Sequence, residues 1–215
     1  MNTLTLRADE RKAGEHMFPF HWKRFDVFIF SLLLIFINTH LITGNYSTTF
    51  FFFPDSVHSG EWWRILTHPF VHLSWYHLFL DAGAFFLLYR ELHHKRIREK
   101  LFYVLMCGAV SLGVAMVTSP LIYTRGLTGL SGIAHGLMAI SALEMMREKE
   151  HFRTGLIFFL VVVFKSIYET INGDVLFAFM HMGLCGTPVA ACHAGGVLGG
   201  IVAFLILRYL RLEKN

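Results

Sequence analysis

Six long apolar stretches alternate with short polar segments along the chain. They cover residues 25–42, 75–89, 101–121, 130–146, 152–168 and 189–209. A helix that spans a bilayer needs about 20 residues, with a range of about 17 to 25. The stretch 75–89 approaches this length when Leu73 and Ser74 are added. The stretches are long and lack the period-two alternation of barrel strands. The pattern therefore predicts an all-α polytopic membrane protein with six transmembrane helices.

The composition agrees with this prediction. Hydrophobic residues make up 54% of the 215 positions and charged residues 16%. Soluble domains of this size carry about 25% charged residues. The alternative, a soluble domain of buried helices, fits these values poorly.

The basic residues predict the orientation of the helices. Sixteen of the nineteen lie in the N-terminal tail, the loops after predicted helices 2 and 4, and the C-terminal tail. The opposite side carries only Arg64, Arg125 and Lys165. Cytoplasmic loops are enriched in Lys and Arg, so both termini are predicted to be cytoplasmic. The net charge of +4 is thus a topology signal, and no nucleic-acid partner is expected.

The predicted organisation is a single membrane domain, residues 25–209, between cytoplasmic tails at 1–24 and 210–215. Residues 1–24 are mostly polar and precede no small-residue cleavage site, so helix 1 is interpreted as a signal anchor. The longest segment predicted to be non-helical is 43–72. It is rich in Phe and Trp, which favour the membrane interface.

Five polar residues are predicted to lie at one depth in the membrane. They stand near the starts of helices 2, 4 and 6, and are His72, His77, Asp81, Ser131 and His193. These three helices all run inward from the outer face. Ionisable residues within membrane spans are costly and usually functional. The pattern therefore indicates a polar site near the outer face.

Serine and histidine together suggest nucleophilic catalysis, since a neighbouring base activates the hydroxyl. Small residues four apart let membrane helices pack closely. Pairs of glycines at this spacing, here called glycine steps, occur once on helix 4 and twice on helix 6. They are Gly132 and Gly136, Gly195 and Gly199, and Gly196 and Gly200. Close packing of helices 4 and 6 is expected to bring Ser131 toward His193.

These residues resemble the rhomboid intramembrane serine proteases. GLSG at 129–132 resembles their G-x-S-G motif, and HLSWYHLFLD at 72–81 their helix-2 motif. HAGGVLGG at 193–200 is similar to their helix-6 run, and EWWRILTHPF at 61–70 to their first loop. Within the family the chain looks most like the rhombosortases. Those are short bacterial members with an aspartate and a G-L-S-G-x-x-H-G run, associated with proteins that end in a GlyGly-CTERM tail.

The resemblance implies a six-helix rhomboid core and a serine endopeptidase with a Ser–His dyad and no acidic third member. Ser131 would be the nucleophile and His193 the general base. His77 and the Ser131 N–H would hold the oxyanion, and Gly129 would allow the turn into helix 4. No cofactor or metal is implied.

The resemblance also implies the setting and the substrates. The expected location is a bacterial inner membrane, with the active site facing the periplasm. The expected partners are the lipid bilayer and single-span proteins with a C-terminal anchor helix, of the GlyGly-CTERM type, cleaved near the outer face.

Two positions depart from the rhomboid pattern. Asp81 stands where most rhomboids have asparagine. It either pairs with His77 one turn earlier, which we favour, or is kept protonated by desolvation. His135 stands where most rhomboids have an aromatic residue. It is a rival base to His193, ranked below it, and is expected to pack on His193 or bond to it.

Several alternatives stay open. A disulfide between Cys185 and Cys192 is compatible with an oxidising periplasm. A metal at His68 and His72 is not expected, because a third ligand is missing and Pro69 disfavours a helix. The rival functions are an inactive rhomboid-like protein that binds transmembrane clients, and a small transporter with a proton relay.

Overall fold

The computed structural model describes residues 25–45, 47–176 and 178–212. These residues fall into two units, of which the first ends at Leu32 and the second begins at Leu33. All of the polar residues predicted to form the site belong to the second unit. The predicted tail 1–24 lies outside the described residues, as do residues 213–215 of the predicted C-terminal tail.

The described residues form six long helices, each overlapping one predicted stretch. They are α1 (Phe25–Ile37), α2 (Trp75–Glu91), α3 (Ile97–Thr118), α4 (Ser131–Met145), α5 (Phe152–Asn172) and α6 (Ala191–Leu212). Short helices cover Thr39–Thr43 and Leu121–Arg125. Single 3-10 turns cover Leu92–His94 and Ala178–His181. The largest differences from prediction are at three helix ends. Helix α1 ends at Ile37 and not at 42, α3 begins at Ile97 and not at 101, and α5 continues from the predicted end at 168 to Asn172.

Helix length supports a polytopic membrane fold. Among the described helices, α3, α5 and α6 are long and apolar enough to cross a bilayer. The segment Arg64–Phe70 and α2 make a fourth crossing if this pair, bent by 95°, is one span. The helices α1 and α4 have 13 and 15 residues. The all-helical fold therefore agrees with the prediction, while six crossings and the side of the termini stay predictions.

The segment 43–72 is partly helical, and the prediction of a non-helical loop is wrong. It contains the short helices Pro54–His58 and Arg64–Thr67 and a 3-10 turn at His68–Phe70. Pro69 fits because it stands at the start of that turn, where proline is tolerated.

Two contacts hold this segment in place. The Arg64 guanidinium donates to the carbonyl oxygen of Phe51 at 2.7 Å. Phe52 and Leu127 exchange backbone hydrogen bonds of 3.1 and 2.9 Å. The second contact links the first loop to the chain just before α4, so the loop helps to position the start of that helix.

Glycines let α4 and α6 touch backbone to backbone. A Cβ placed on Gly196 would lie 1.8 Å from the carbonyl oxygen of Gly132. One turn further, a Cβ on Gly200 would lie 2.4 Å from that of Gly136. Any larger side chain at Gly196 would push the helices apart, so this step sets their separation.

The second glycine step of α6 has a different neighbour. A Cβ on Gly195 would lie 2.7 Å from the carbonyl oxygen of Val110, and one on Gly199 would lie 2.6 Å from that of Met106. Both neighbours belong to α3. This step therefore packs on α3 and the other on α4, because residues 195 and 196 lie 100° apart around the helix.

Candidate active site

A cavity of about 740 Å³ lies at the N-terminal end of α4. Its lining includes most of the polar residues that the sequence analysis singled out, namely His77, Asp81, Ser131, His135 and His193. It also includes Glu169, which the sequence analysis did not name. Helices α2, α4, α5 and α6 each contribute to this set. The topology therefore gathers the predicted residues at one site.

Gly129 makes the turn into α4 possible. Its φ is +93°, a conformation that side-chain-bearing residues rarely adopt. A Cβ at this position would lie 2.6 Å from Asp81 Oδ2 and 2.8 Å from His77 Nε2. Glycine is needed both for the backbone conformation and for the approach of these two side chains. Ser131 follows as the first residue of α4.

Ser131 and His193 share the cavity but are not hydrogen-bonded to each other in this conformation. The nearest hydrogen-bonding neighbour of Ser131 Oγ among the described residues is Cys192 Sγ, at 3.9 Å. His193 is buried in the first turn of α6. A Ser–His hydrogen bond would require rearrangement at the serine, and catalytic bonds are often long in structures without substrate.

His193 has a carboxylate partner that the sequence reasoning missed. Its Nδ1 lies 2.7 Å from Oε2 of Glu169, whose side chain is completely buried. The other carboxylate oxygen accepts hydrogen bonds from Lys165 Nζ at 2.6 Å and from the backbone N–H of Leu176 at 2.7 Å. The available signal was the Lys165–Glu169 pair, two opposite charges four residues apart in an apolar helix.

The hydrogen bonds of His135 occupy both of its ring nitrogens. Nε2 lies 2.8 Å from Lys165 Nζ, and Nδ1 lies 2.7 Å from the carbonyl oxygen of Ser131. An ammonium can only donate and a carbonyl can only accept. The network therefore assigns the proton of a neutral His135 to Nδ1. Neither nitrogen is free to take a proton from the Ser131 hydroxyl.

The His135 ring also stacks on His193. Their centroids lie 4.0 Å apart, and the ring planes differ by 11°. This is the packing expected from the sequence. His135 thus contacts the histidine of α6 through its ring face, while its ring edges bond elsewhere.

Asp81 and two histidines form a second cluster, of which Asp81 and His77 line the cavity. Asp81 Oδ2 lies 3.3 Å from His77 Nε2 and 3.6 Å from His72 Nε2. The same oxygen accepts a hydrogen bond of 3.0 Å from the backbone N–H of Ser131. The His77–Asp81 proximity expected from the sequence is present. The carboxylate also contacts the N–H that was expected to face an oxyanion.

Three side chains have potential metal-ligand atoms within 4.8 Å of one another, namely His135, Glu169 and His193. Lys165 Nζ already contacts two of these side chains. An ammonium there compensates the carboxylate as a metal ion would, and would repel a second cation. We therefore interpret the cluster as a hydrogen-bonded network.

The three cysteines are free thiols in the structure. Burial raises the pKa of the Cys185 thiol, and the nearby charge of Asp81 raises it further. A raised pKa disfavours the thiolate, which is the nucleophilic form of cysteine.

Comparison with known proteins identifies the family of the chain. The Rhomboid domain family matches residues 59–210, which include every residue described above as lining the cavity. The chain belongs to the rhomboid family.

Two rhomboid relatives are similar at low identity. The putative rhomboid protease YdcA of Bacillus subtilis (strain 168) is 27% identical over 137 residues, which are 60% of this chain and 66% of that protein. Rhomboid-like protease 1 of Toxoplasma gondii is 24% identical over 150 residues, which are 66% of this chain and 50% of that protein. The aligned part of the rhomboid chain thus spans just under two thirds of one relative and half of the other.

Proposed function

We propose that this rhomboid is an intramembrane serine endopeptidase in which Ser131 is the nucleophile and His193 the general base. The observation that carries the proposal is that α4 and α6 present these two side chains to one cavity, with His193 bonded through Nδ1 to Glu169. A carboxylate accepts, so in the neutral imidazole Nδ1 carries the proton and Nε2 keeps its lone pair. That is the form of histidine that a general base requires.

The reaction would follow the usual course of acyl transfer. Ser131 Oγ attacks the peptide carbonyl carbon while its proton passes to His193 Nε2. His193 then returns the proton to the leaving amine as the C–N bond breaks. Water, or another nucleophile, releases the acyl group from Ser131.

The oxyanion would be held by His77 and the Ser131 N–H, as the family resemblance implies. In the resting structure that N–H bonds to Asp81 at 3.0 Å. The substrate would therefore have to displace the Asp81 carboxylate from the N–H. Hydrogen-bond donors aimed at a developing oxyanion typically contribute about 100- to 1000-fold in rate.

The central test is reaction with a fluorophosphonate, which requires no knowledge of the substrate. The wild-type protein should be labelled, and Ser131→Ala should not. The rival function is an inactive rhomboid that binds transmembrane clients. It is favoured by the missing Ser131–His193 hydrogen bond and by the Asp81 contact. Absence of labelling, with client binding retained, would support this rival.

We propose that the substrates are single-span proteins with C-terminal anchors of the GlyGly-CTERM type, as in rhombosortases. The support is the GLSGIAHG run at 129–136 and Asp81. The test is a pair of fusion proteins with the same anchor helix, with and without the glycine tail. Equal cleavage of both would reject the rhombosortase assignment and leave the peptidase intact.

The proposed topology has six crossings, cytoplasmic termini and an active site that faces the periplasm of a bacterial inner membrane. The sixteen-to-three division of basic residues supports it. Alkaline phosphatase should be active when fused after Arg64 and inactive when fused after Lys95. The reverse pattern would put Ser131 and His193 at the cytoplasmic side.

A further inference from the structure

We propose that Glu169 is a positioning residue that holds His193 in the orientation and tautomer needed for catalysis, and so extends the expected Ser–His dyad by an acidic third member. This inference rests on the proposed peptidase function. It assigns a role to the carboxylate of α5, which the sequence reasoning left outside the site.

The first argument is the cost of burying Glu169. Its side chain has no exposed surface. A buried carboxylate is strongly unfavourable unless it is paired and its oxygens are hydrogen-bonded. Both conditions are met here, since Lys165 supplies the opposite charge and three donors contact the two oxygens. Such an arrangement keeps the carboxylate ionised beside the histidine.

The second argument is directional. Oε1 accepts from Lys165 and from the backbone N–H of Leu176, so that oxygen is already occupied. Oε2 faces His193 Nδ1 at 2.7 Å. The network of Glu169 therefore leaves one oxygen for the histidine and fixes its direction. A carboxylate serving only helix stability would not need this bond to α6.

The third argument is that the remaining neighbours constrain the His193 ring. The titratable groups that face the Glu169–His193 pair are Lys165, His135 and Cys192. His135 stacks on the ring face, and its own nitrogens are occupied. The ring is thus held by a carboxylate at one edge and an imidazole on one face.

The test compares Glu169→Gln with wild type by the rate of fluorophosphonate labelling. In this reaction Ser131 Oγ forms a bond to phosphorus, fluoride leaves, and the hydroxyl proton passes to His193. A glutamine amide can donate to Nδ1 and so favour the tautomer with the proton on Nε2, which cannot act as a base. The maximal rate should fall about 100- to 10,000-fold, as when the analogous carboxylate of a soluble serine protease becomes an amide. The probe concentration for half-maximal rate should change little.

Two matched variants control for structural effects. Glu169→Asp keeps the charge and should recover part of the lost rate. Glu144 of α4 also forms a lysine ion pair, with Lys95, at the opposite end of the bundle. Glu144→Gln should keep the wild-type labelling rate. A loss of the same size in Glu144→Gln would show that the Glu169 effect is a general loss of folding and would overturn the proposal.

A second measurement reads the tautomer directly. In protein labelled with ¹⁵N-histidine, the His193 proton should reside on Nδ1 in the wild type and shift toward Nε2 in Glu169→Gln. Wild-type labelling by Glu169→Gln, with Ser131→Ala inactive, would overturn this inference while leaving the peptidase intact. If the wild type itself fails to react, both proposals fail together, whatever the tautomer.

Discussion

Two buried carboxylates line the cavity beside Ser131, and they are held in different ways. Glu169 accepts three hydrogen bonds of 2.6 to 2.7 Å, one of them from a lysine ammonium. Asp81 has longer contacts of 3.0 to 3.6 Å, from a backbone N–H and two histidines. Among the described residues, no lysine or arginine lies within ion-pair distance of Asp81.

This difference separates a fixed wall of the cavity from an adjustable one. Glu169 pairs with the Lys165 ammonium and accepts three short hydrogen bonds, so the wall that holds the proposed base has little freedom to rearrange. Asp81 is held by longer contacts, so the wall that faces the proposed oxyanion can change its contacts during a reaction.

The largest effect should come from the residues that react. Ser131→Ala and His193→Ala should each lower the rate of substrate cleavage by about 10⁴-fold or more, since members of such a unit are each indispensable. The measurement is cleavage of a single-span substrate in membranes. Cleavage by His193→Ala at an appreciable rate would show that the general base does not lie on α6. The Glu169 carboxylate would then have no role in catalysis.

The next largest effect should come from moving α6, which carries His193, away from Ser131 on α4. Gly196→Ala puts a Cβ 1.8 Å from the Gly132 carbonyl oxygen, so α6 must shift away from α4. Overpacking costs about 1–3 kcal/mol, and the shift should also slow labelling about 100-fold by separating His193 from Ser131.

Gly113→Ala is the matched control, since a Cβ there meets nothing within 4 Å. It should leave both the melting temperature and the labelling rate near the wild-type values. An equal loss in both variants would mean that glycine flexibility, and not the α4–α6 distance, is what the site needs.

The two walls were also unequally predictable from the sequence. Four of the residues stand near the starts of apolar stretches, and they are His77, Asp81, Ser131 and His193. Counting the predicted helices was therefore enough to predict that they lie at the same depth in the membrane. Glu169 was missed because the predicted fifth helix ended at 168, one residue before it. Its contact with His193 joins residues 24 positions apart on two helices. The contact depends on how these helices are rotated about their axes, which no local sequence pattern encodes.

Similar reasoning explains the two glycine steps of α6. The sequence identified both as close-packing positions. Which neighbour each step meets depends on the three-dimensional arrangement of α3 and α4, so only the structure separates Gly195 from Gly196. The short helices within 43–72 were missed because their stability comes from tertiary contacts, such as those of Arg64, more than from helix propensity.

A smaller effect is expected on the adjustable wall. Asp81→Asn keeps an oxygen that can accept the Ser131 N–H, but it loses the charge that orients His77. Charge-assisted hydrogen bonds are roughly twice as strong as neutral ones, so cleavage should slow by about 10-fold. The measurement is the cleavage rate against pH for both proteins. If Asp81→Asn is faster than wild type above neutral pH, the hypothesis of a His77–Asp81 ion pair is wrong, and a protonated Asp81 is favoured.

The smallest effect should come from His135, which stacks on His193 but is not itself a proposed catalytic residue. His135→Phe keeps a flat ring against His193 but loses the bonds to the Ser131 carbonyl and to Lys165. A neutral hydrogen bond contributes about 1 kcal/mol, and Lys165 keeps its carboxylate partner, so labelling should slow by less than about 10-fold. His135→Ala removes the ring as well and should be slower than His135→Phe. If His135→Phe is inactive while His193→Ala still reacts, the base lies on α4, and the carboxylate wall built on Glu169 has another purpose.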